Sequence, residues 1–502
     1  MRRLAVAASL GAAGALAFEP LRLFPFLLLA YGALVVLLDG AAAGNRRFRD
    51  AALIGWSFGF GFFLVGHYWI GYAFLVDAAA HAWQMPFAMV LLPIGLGLFY
   101  AAASALCMLG WRPGAQRVFL FALMFFAAEW LRGHILTGFP WNLPAYGWGA
   151  SPALLQSAAI LGAYGLSLLT LLFGASLALL VTGSARAKFL PAAMAIVFIG
   201  LSGFGEARLY AASDAVVPGI RLRIVQPSTA QNEKYVAENL VRNWRRLMEL
   251  STTPAPRQPT HIIWPEAAPP FVLDRVPEAL GEIANLTGDS RSLLTGQVRV
   301  AEDLGGRRFY NSFAIYGPHG KLLGTYDKFH LVPFGEYLPV EGILRSLGFS
   351  EIAADTGFSA GSGPKTLSVP GTPPFGPLIC YEVIFPNEVT GEPRPAWFVN
   401  LTDDSWFGPN TGPMQHFLIA RVRAIEEGLP IARAANSGIS AVIDAYGRVR
   451  ARLDLGLRGI VDADLPVALG PTPFSRYGSF ILLTLIIVCS GAALWPSRSG
   501  QT

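Results

Sequence analysis

The stretch KFLPAAMAIVFIGLSGFGEARLYAASDAVVPGIRLRIVQ, Lys188–Gln226, decides the architecture, because the chain changes character inside it. Residues 188–205 form an apolar run of the kind that crosses about 30 Å of hydrocarbon as a helix of about 20 residues. From about residue 207 the composition turns mixed, and Ile220–Gln226 reads as a short β-branched strand. Upstream lie further apolar segments at 3–18, 22–39, 51–76, 84–111, 117–133 and 152–182, and one more follows at 477–495. The sequence thus predicts about eight transmembrane helices, divided as 1–206, 207–475 and 476–502. The first segment is short and ends in Ala15-Leu16-Ala17 behind Met1-Arg2-Arg3, a pattern also found in cleavable leaders.

Composition agrees. Of 502 residues, 53% are apolar and 14% charged, against about 25% charged in an ordinary soluble domain. That excludes a disordered chain, a coiled coil and a collagen-like rod. A net charge of +5 without basic runs gives no reason to expect a nucleic-acid partner. Loop charges alternate in density. Arg2, Arg3, Arg46, Arg47, Arg49, Arg112, Arg117, Arg186, Lys188 and Arg498 fall on one side, and only Arg22 and Arg132 on the other, with none in Val76–Trp83. The positive-inside rule puts both termini in the cytoplasm and residues 207–475 on the far face, the periplasm of a bacterium.

Within 207–475, apolar strands at His261–Glu266, Leu293–Val298, Asn311–Tyr316, Leu378–Glu382, Trp397–Leu401, Ile431–Ala435 and Ile439–Asp444 alternate with amphipathic stretches at Glu233–Leu250, Pro277–Thr287 and Pro413–Glu427. Such alternation predicts one α/β domain with a buried sheet. Strand ends carry the chemistry in such sheets. Trp264-Pro265-Glu266 and Cys380-Tyr381-Glu382 fall at or near strand ends, and Lys328 follows a strand and a turn. A thiolate attacks carbonyl carbon, a carboxylate can take the thiol proton, and an ammonium stabilises thiolate and oxyanion. From the residues alone, Glu266, Lys328 and Cys380 are either such a site or a buried thiol beside an ion pair. Cys107 and Cys489 lie in apolar runs, and the seven histidines have no metal-ligand spacing, so neither metal nor cofactor is expected.

Trp264-Pro265-Glu266, Lys328 with His330–Pro339 (HLVPFGEYLP), and Cys380-Tyr381-Glu382 resemble the three catalytic segments of the carbon–nitrogen hydrolase (nitrilase) superfamily. With seven apolar segments before them, one after, and Thr137-Gly138-Phe139-Pro140-Trp141-Asn142 in the loop after the fifth, they resemble the apolipoprotein N-acyltransferase family. The resemblance implies a nitrilase-like αββα sandwich with Glu266 as base, Lys328 as oxyanion stabiliser and Cys380 as nucleophile. It implies supporting roles for Glu336, Tyr381 and Glu382, which otherwise read as two ion-pair partners and a core aromatic. Tyr235 stands where the family often has a tryptophan. Also implied are a phospholipid acyl donor, a thioester on Cys380, and the amino group of a diacylated apolipoprotein as acceptor, in a monomer among membrane lipid of the bacterial inner membrane.

Other signals are weaker. Gly357-Phe358-Ser359-Ala360-Gly361 matches a serine-nucleophile elbow, but its neighbours read as loop. Gly342–Phe349 reads as a lid dipping into the interface or as a piece of core. Glu129 and Arg132 read as an intramembrane functional pair or a structural one, Gly55 and Gly59 as a close helix contact, and His330 and His416 as structural. Asn400, Asp403 and Asp404 follow an apolar strand and read as rim residues of the pocket, with no role assigned. The rival functions are a membrane-tethered amidase and a transporter with an outer solute-binding domain.

Overall fold

The computed structural model describes residues 1–303, 306–346 and 357–495. Its N-terminal part is a bundle of α1 (Arg2–Ala15), α2 (Phe24–Ala42), α3 (Arg47–Gly66), α4 (Met85–Cys107), α5 (Gln116–His134), α6 (Ala158–Ser176) and α7 (Phe189–Tyr210). Among the described residues, six helices have the length and composition to cross a membrane: α2, α3, Ala78–Cys107, Ala158–Thr182, α7 and Pro473–Leu494. The other two of the eight expected segments differ for physical reasons. α1 has 14 residues, about 21 Å at 1.5 Å per residue, shorter than the hydrocarbon layer. α5 carries Arg117, Glu129 and Arg132, all buried against other helices. There Arg117 Nε meets Asp39 Oδ1 at 2.9 Å, and Arg132 pairs with Glu129, which also accepts the Tyr100 hydroxyl at 2.7 Å.

Beyond the bundle the chain forms β1 (Val216–Gln226), α8 (Leu240–Thr252), β2 (His261–Ile263), α9 (Pro277–Thr287), β3 (Ser292–Asp303), β4 (Gly306–Tyr316), β5 (Leu322–Asp327), β6 (Phe375–Ile379), β7 (Trp397–Thr402), α10 (Thr411–Glu427), β8 (Ile431–Ala435), β9 (Ser440–Ile443), β10 (Val449–Leu453), β11 (Gly459–Pro466) and then α11 (Pro473–Leu494). Two sheets result, ordered β11-β1-β2-β3-β4-β5 and β10-β9-β8-β7-β6. β1, β2 and β3 run parallel, as do β6, β7 and β8.

Strand alternation makes the layers. Leu222, Ile224, Ile263, Leu294, Phe313 and Ile315 of one sheet pack against Ile379, Val399, Leu401, Ala432 and Val442 of the other. Their neighbours Val225, Ile262, Leu293 and Ala314 turn outward onto Trp244 and Leu247 of α8 and Ile283 and Leu286 of α9. On the opposite face Phe398, Ile431 and Ile443 meet Phe417, Leu418 and Ile425 of α10, in a core that continues into the bundle. The fold is the four-layer αββα sandwich that the motifs implied.

α10 is therefore shared by sandwich and bundle. Gln415 Oε1 accepts the indole N–H groups of Trp69 (3.1 Å) and Trp141 (2.7 Å), and Glu426 Oε1 accepts the Ala163 amide at 2.5 Å. Of the expected lid, Glu341–Ser346 is helical, and Leu347–Phe349 lie outside the described residues.

Gly55 faces α4 so closely that a methyl group there would overlap the Ser104 hydroxyl and the Tyr100 carbonyl, whereas Gly95 has nothing within 4 Å. Gly55→Val should therefore destabilise the protein by about 1–3 kcal/mol, the usual range for overpacking. A melting temperature in detergent should fall for Gly55→Val and stay unchanged for Gly95→Ala.

Candidate active site

Three strand ends converge. β2 stops at Ile263, and Trp264-Pro265 carries Glu266 over β3, whose Gly296 allows the approach: a Cβ there would stand 2.6 Å from the Glu266 Cα. Lys328 is the first residue past β5, pinned by its amide to Asn311 O (2.9 Å) and by its carbonyl to the Gly361 amide (2.8 Å). The Gly357–Gly361 segment thus buttresses the lysine as a loop and presents no elbow. Cys380 is the first residue past β6, not a strand member, and has φ +48°. That left-handed conformation costs an L-residue about 1–2 kcal/mol and turns the chain sharply at the thiol.

The Lys328 ammonium, 1% exposed, lies 3.2 Å from Glu266 Oε1 and 2.9 Å from Glu336 Oε2. Asn311 Nδ2 donates to both carboxylates, at 2.7 Å to Glu266 and 2.8 Å to Glu336. Backbone amides complete the cage: Asp403 N–H reaches Glu266 Oε2 and Val332 N–H reaches Glu336 Oε2, each at 2.8 Å. The Cys380 thiol, 6% exposed, lies where the charges of Glu266 and Lys328 both act on it.

Burial pushes the Cys380 thiol well above its ordinary pKa, and Glu266 adds to that shift; Lys328 and the Thr402 hydroxyl pull the other way. At rest the sulfur is protonated. Burial also raises Glu266, helped by Glu336 and Asp403 against Lys328 and Asn311, which makes it a stronger base. Burial acts to lower Lys328, but Glu266, Glu336 and Cys380 outweigh it and the ammonium is retained.

Around this core, Glu382 ties the cysteine turn to the lysine loop. It accepts Ile379 N–H (2.7 Å), the Tyr326 hydroxyl (2.7 Å) and Phe329 N–H (2.8 Å). Burial raises its carboxyl to about 7 against those hydrogen bonds. The Tyr381 hydroxyl donates to Gly138 O at 2.7 Å, and His330 Nε2 to Thr137 O at 2.8 Å, so Thr137–Asn142 of the bundle abuts both the Cys380 and the Lys328 loops. Arg132, paired with Glu129, donates to Phe139 O in the same loop. Tyr235 is half-exposed at the rim, its ring centroid 5.7 Å from Lys234 Nζ.

Two contributors were not read from the sequence, Lys234 and Asn311, and Asp403, read only as a rim residue, contributes its amide. Buried Lys234 bonds Asp403 Oδ2 at 2.7 Å and Glu266 O at 3.3 Å. Its place beside Tyr235 was the available signal; Asn311, at the start of a strand pattern, gave none. Cys380, Asp404 and His416 also bring a sulfur, an oxygen and a nitrogen within 4.8 Å of one another, a metal-type grouping that spacing did not show. Both Asp404 oxygens and both His416 nitrogens already have protein partners, and the Arg433 guanidinium stands 2.7 Å from the carboxylate, opposing a second cation.

Residues 10–176 match the family described as apolipoprotein N-acyltransferase N-terminal domain, and residues 221–472 match carbon–nitrogen hydrolase. Among curated relatives, proteins named apolipoprotein N-acyltransferase are similar over nearly the whole chain. That of Rhodopseudomonas palustris is 43% identical, covering 97% of this chain and 94% of its own. Those of Bradyrhizobium diazoefficiens (45%; 97% and 93%) and Brucella melitensis (42%; 99% and 97%) are comparable.

Because the Glu266 charge raises the thiol pKa, Glu266→Gln should speed alkylation of Cys380 by iodoacetamide near neutral pH and move its pH profile to lower pH. Lys328→Met should do the reverse. Mass spectrometry of the modified peptide reads both; slower alkylation in Glu266→Gln would contradict this account of the electrostatics.

Proposed function

The chain belongs to the apolipoprotein N-acyltransferase family of carbon–nitrogen hydrolases, and on that premise we propose how its residues carry the reaction. It is a membrane enzyme that N-acylates lipoproteins. Glu266 takes the Cys380 proton as the sulfur attacks an ester carbonyl of a phospholipid. Lys328 stabilises the oxyanion, a contribution of about 3–4 kcal/mol for one well-placed donor in a dry site. Glu266 returns the proton to the departing glycerol oxygen, lysophospholipid leaves, and the acyl chain remains as a thioester on Cys380.

In the second half, the α-amino group of a diacylglyceryl-cysteine attacks the thioester. Glu266 accepts the amine proton, the tetrahedral adduct collapses to an amide, and the sulfur regains its hydrogen. The step from thioester to amide is downhill, so no nucleotide is required. Glu336 holds Lys328, Glu382 holds the two loops together, Tyr381 anchors the bundle loop, and Tyr235 offers an aromatic face at the rim.

The observation that carries the reading is a buried lysine held between two carboxylates next to a cysteine in a strained turn. The division into 1–206, 207–475 and 476–502 goes with it, as do cytoplasmic termini, a periplasmic catalytic domain in the bacterial inner membrane, and a monomer. Counting both or neither of α1 and α5 as spans leaves an odd number before residue 207, so this sidedness does not depend on them. Exposed Leu136, Phe334 and Val340, close in sequence to Gly138, Glu336 and Lys328, suit an opening toward lipid.

Incubating the detergent-purified enzyme with a phospholipid bearing a fluorescent acyl chain should give a hydroxylamine-labile label that Cys380→Ala lacks. Undiminished label in Cys380→Ala would refute the thioester. Faster loss of label to water than to a diacylated lipopeptide would favour the amidase-type rival.

A further inference from the structure

We propose that His416 is a positioning residue for the nucleophile, closing a buried hydrogen-bonded ring that holds the carbonyls of Cys380 and Leu378. His416 Nε2 lies 3.2 Å from Cys380 O, and its Nδ1 lies 2.9 Å from Asp404 Oδ1. Asp404 Oδ2 accepts Arg433 Nη2 at 2.7 Å; Arg433 Nη1 donates to Asn400 Oδ1; and Asn400 Nδ2 donates to Leu378 O at 3.2 Å. The ring thus leaves from the nucleophile's own carbonyl and returns to the carbonyl two residues before it.

Fold topology fixes this path. Leu378, Asn400 and Arg433 are register partners across the parallel strands β6, β7 and β8, so Asn400 and Arg433 stand in line beside the cysteine turn. Asp404 lies in the turn after β7, and His416 comes from α10. All four side chains are at most 1% exposed. A carbonyl offers only lone pairs, so the hydrogen between Cys380 and His416 belongs to Nε2. Burial and Arg433 lower the His416 pKa, so Nδ1 is left an acceptor and takes Arg433 Nη2–H at 3.2 Å, and Arg433 closes the ring between His416, Asp404 and Asn400. Burial alone would raise Asp404, but Arg433 and His416 overturn it and hold the carboxyl at about 2, an ionised anchor for the ring.

The turn it grips needs a grip. Cys380 sits at φ +48°, and rotation of its peptide would swing the carbonyl and re-aim the thiol. His416 is itself wedged by Trp141 (5.3 Å between ring centroids) and Phe407 (6.2 Å), and its neighbour Gln415 holds Trp69 and Trp141. Placement of the sulfur is therefore referred, through α10, to the membrane bundle.

This inference rests on Cys380 being the nucleophile, and the experiment separates the two. Single-turnover acylation by the fluorescent phospholipid is followed in His416→Phe, which fills the space without a donor, and in His416→Gln, whose amide can still reach the carbonyl. His416→Phe should acylate about 100-fold more slowly, the scale of a roughly 1 Å misplacement, with KM for phospholipid unchanged. His416→Gln should recover most of that loss, and the alkylation pH profile of Cys380 should be altered in His416→Phe and restored in His416→Gln. Should His416→Phe not fold, Asp404→Asn, which keeps the ring's size but removes its charge, should show a loss of about tenfold at unchanged KM. Acylation within about threefold of wild type in a folded His416→Phe, in His416→Gln and Asp404→Asn where it does not fold, or equal failure of folded Gln and Phe variants, overturns the ring while leaving the nucleophile intact. Label persisting in Cys380→Ala overturns the nucleophile itself.

Discussion

A lysine ammonium withdrawn almost completely from water is the constraint on which the site depends. Alone, such a charge would shed its proton or unfold its surroundings. Here Glu266 and Glu336 hold it from two sides, Asn311 bridges the carboxylates, and two backbone amides satisfy the remaining oxygens. The cage leaves one carboxylate more basic than usual beside a thiol more reluctant than usual, both because water is absent.

The sandwich is built into the bundle. α10 packs one face on the β6–β9 sheet and the other on the helices, with Gln415 and Glu426 making polar ties to both indoles and to the Ala163 amide. A second seam joins Gly138 and Thr137 to Tyr381 and His330. Arg132 and Glu129, deep among the helices, extend that seam to Phe139. The pair is thus bonded both to its own helices, through Tyr100, and to the loop that meets the sandwich.

Fold class was legible because it rests on coarse signals: apolar runs of membrane length, and strands whose period of two survives in Leu222, Ile224, Phe313 and Ile315. The eight-span count was less so: the first segment already read as short, but that the charges of α5 are buried in pairs against other helices is a matter of packing. β5, β10 and β11 escaped notice because they pair antiparallel on one side and carry mixed, partly exposed side chains. At the site, Glu266, Lys328 and Cys380 stood out through local motifs. Lys234, Asn311 and the Asn400–Arg433–Asp404–His416 ring did not, because they are defined by strand register and by packing between segments from 12 to 169 residues apart in the chain. The strand end after Leu401 marks Asn400 and Asp404 as neighbours of the pocket, but not their partners.

Burial, which raises the Cys380 thiol, also makes it a poorer target for peroxides and disulfides, which react with thiolate rather than thiol. Cys107 and Cys489 are buried in helices and offer it no mate. The dryness that raises the Cys380 thiol is thus also what slows its oxidation.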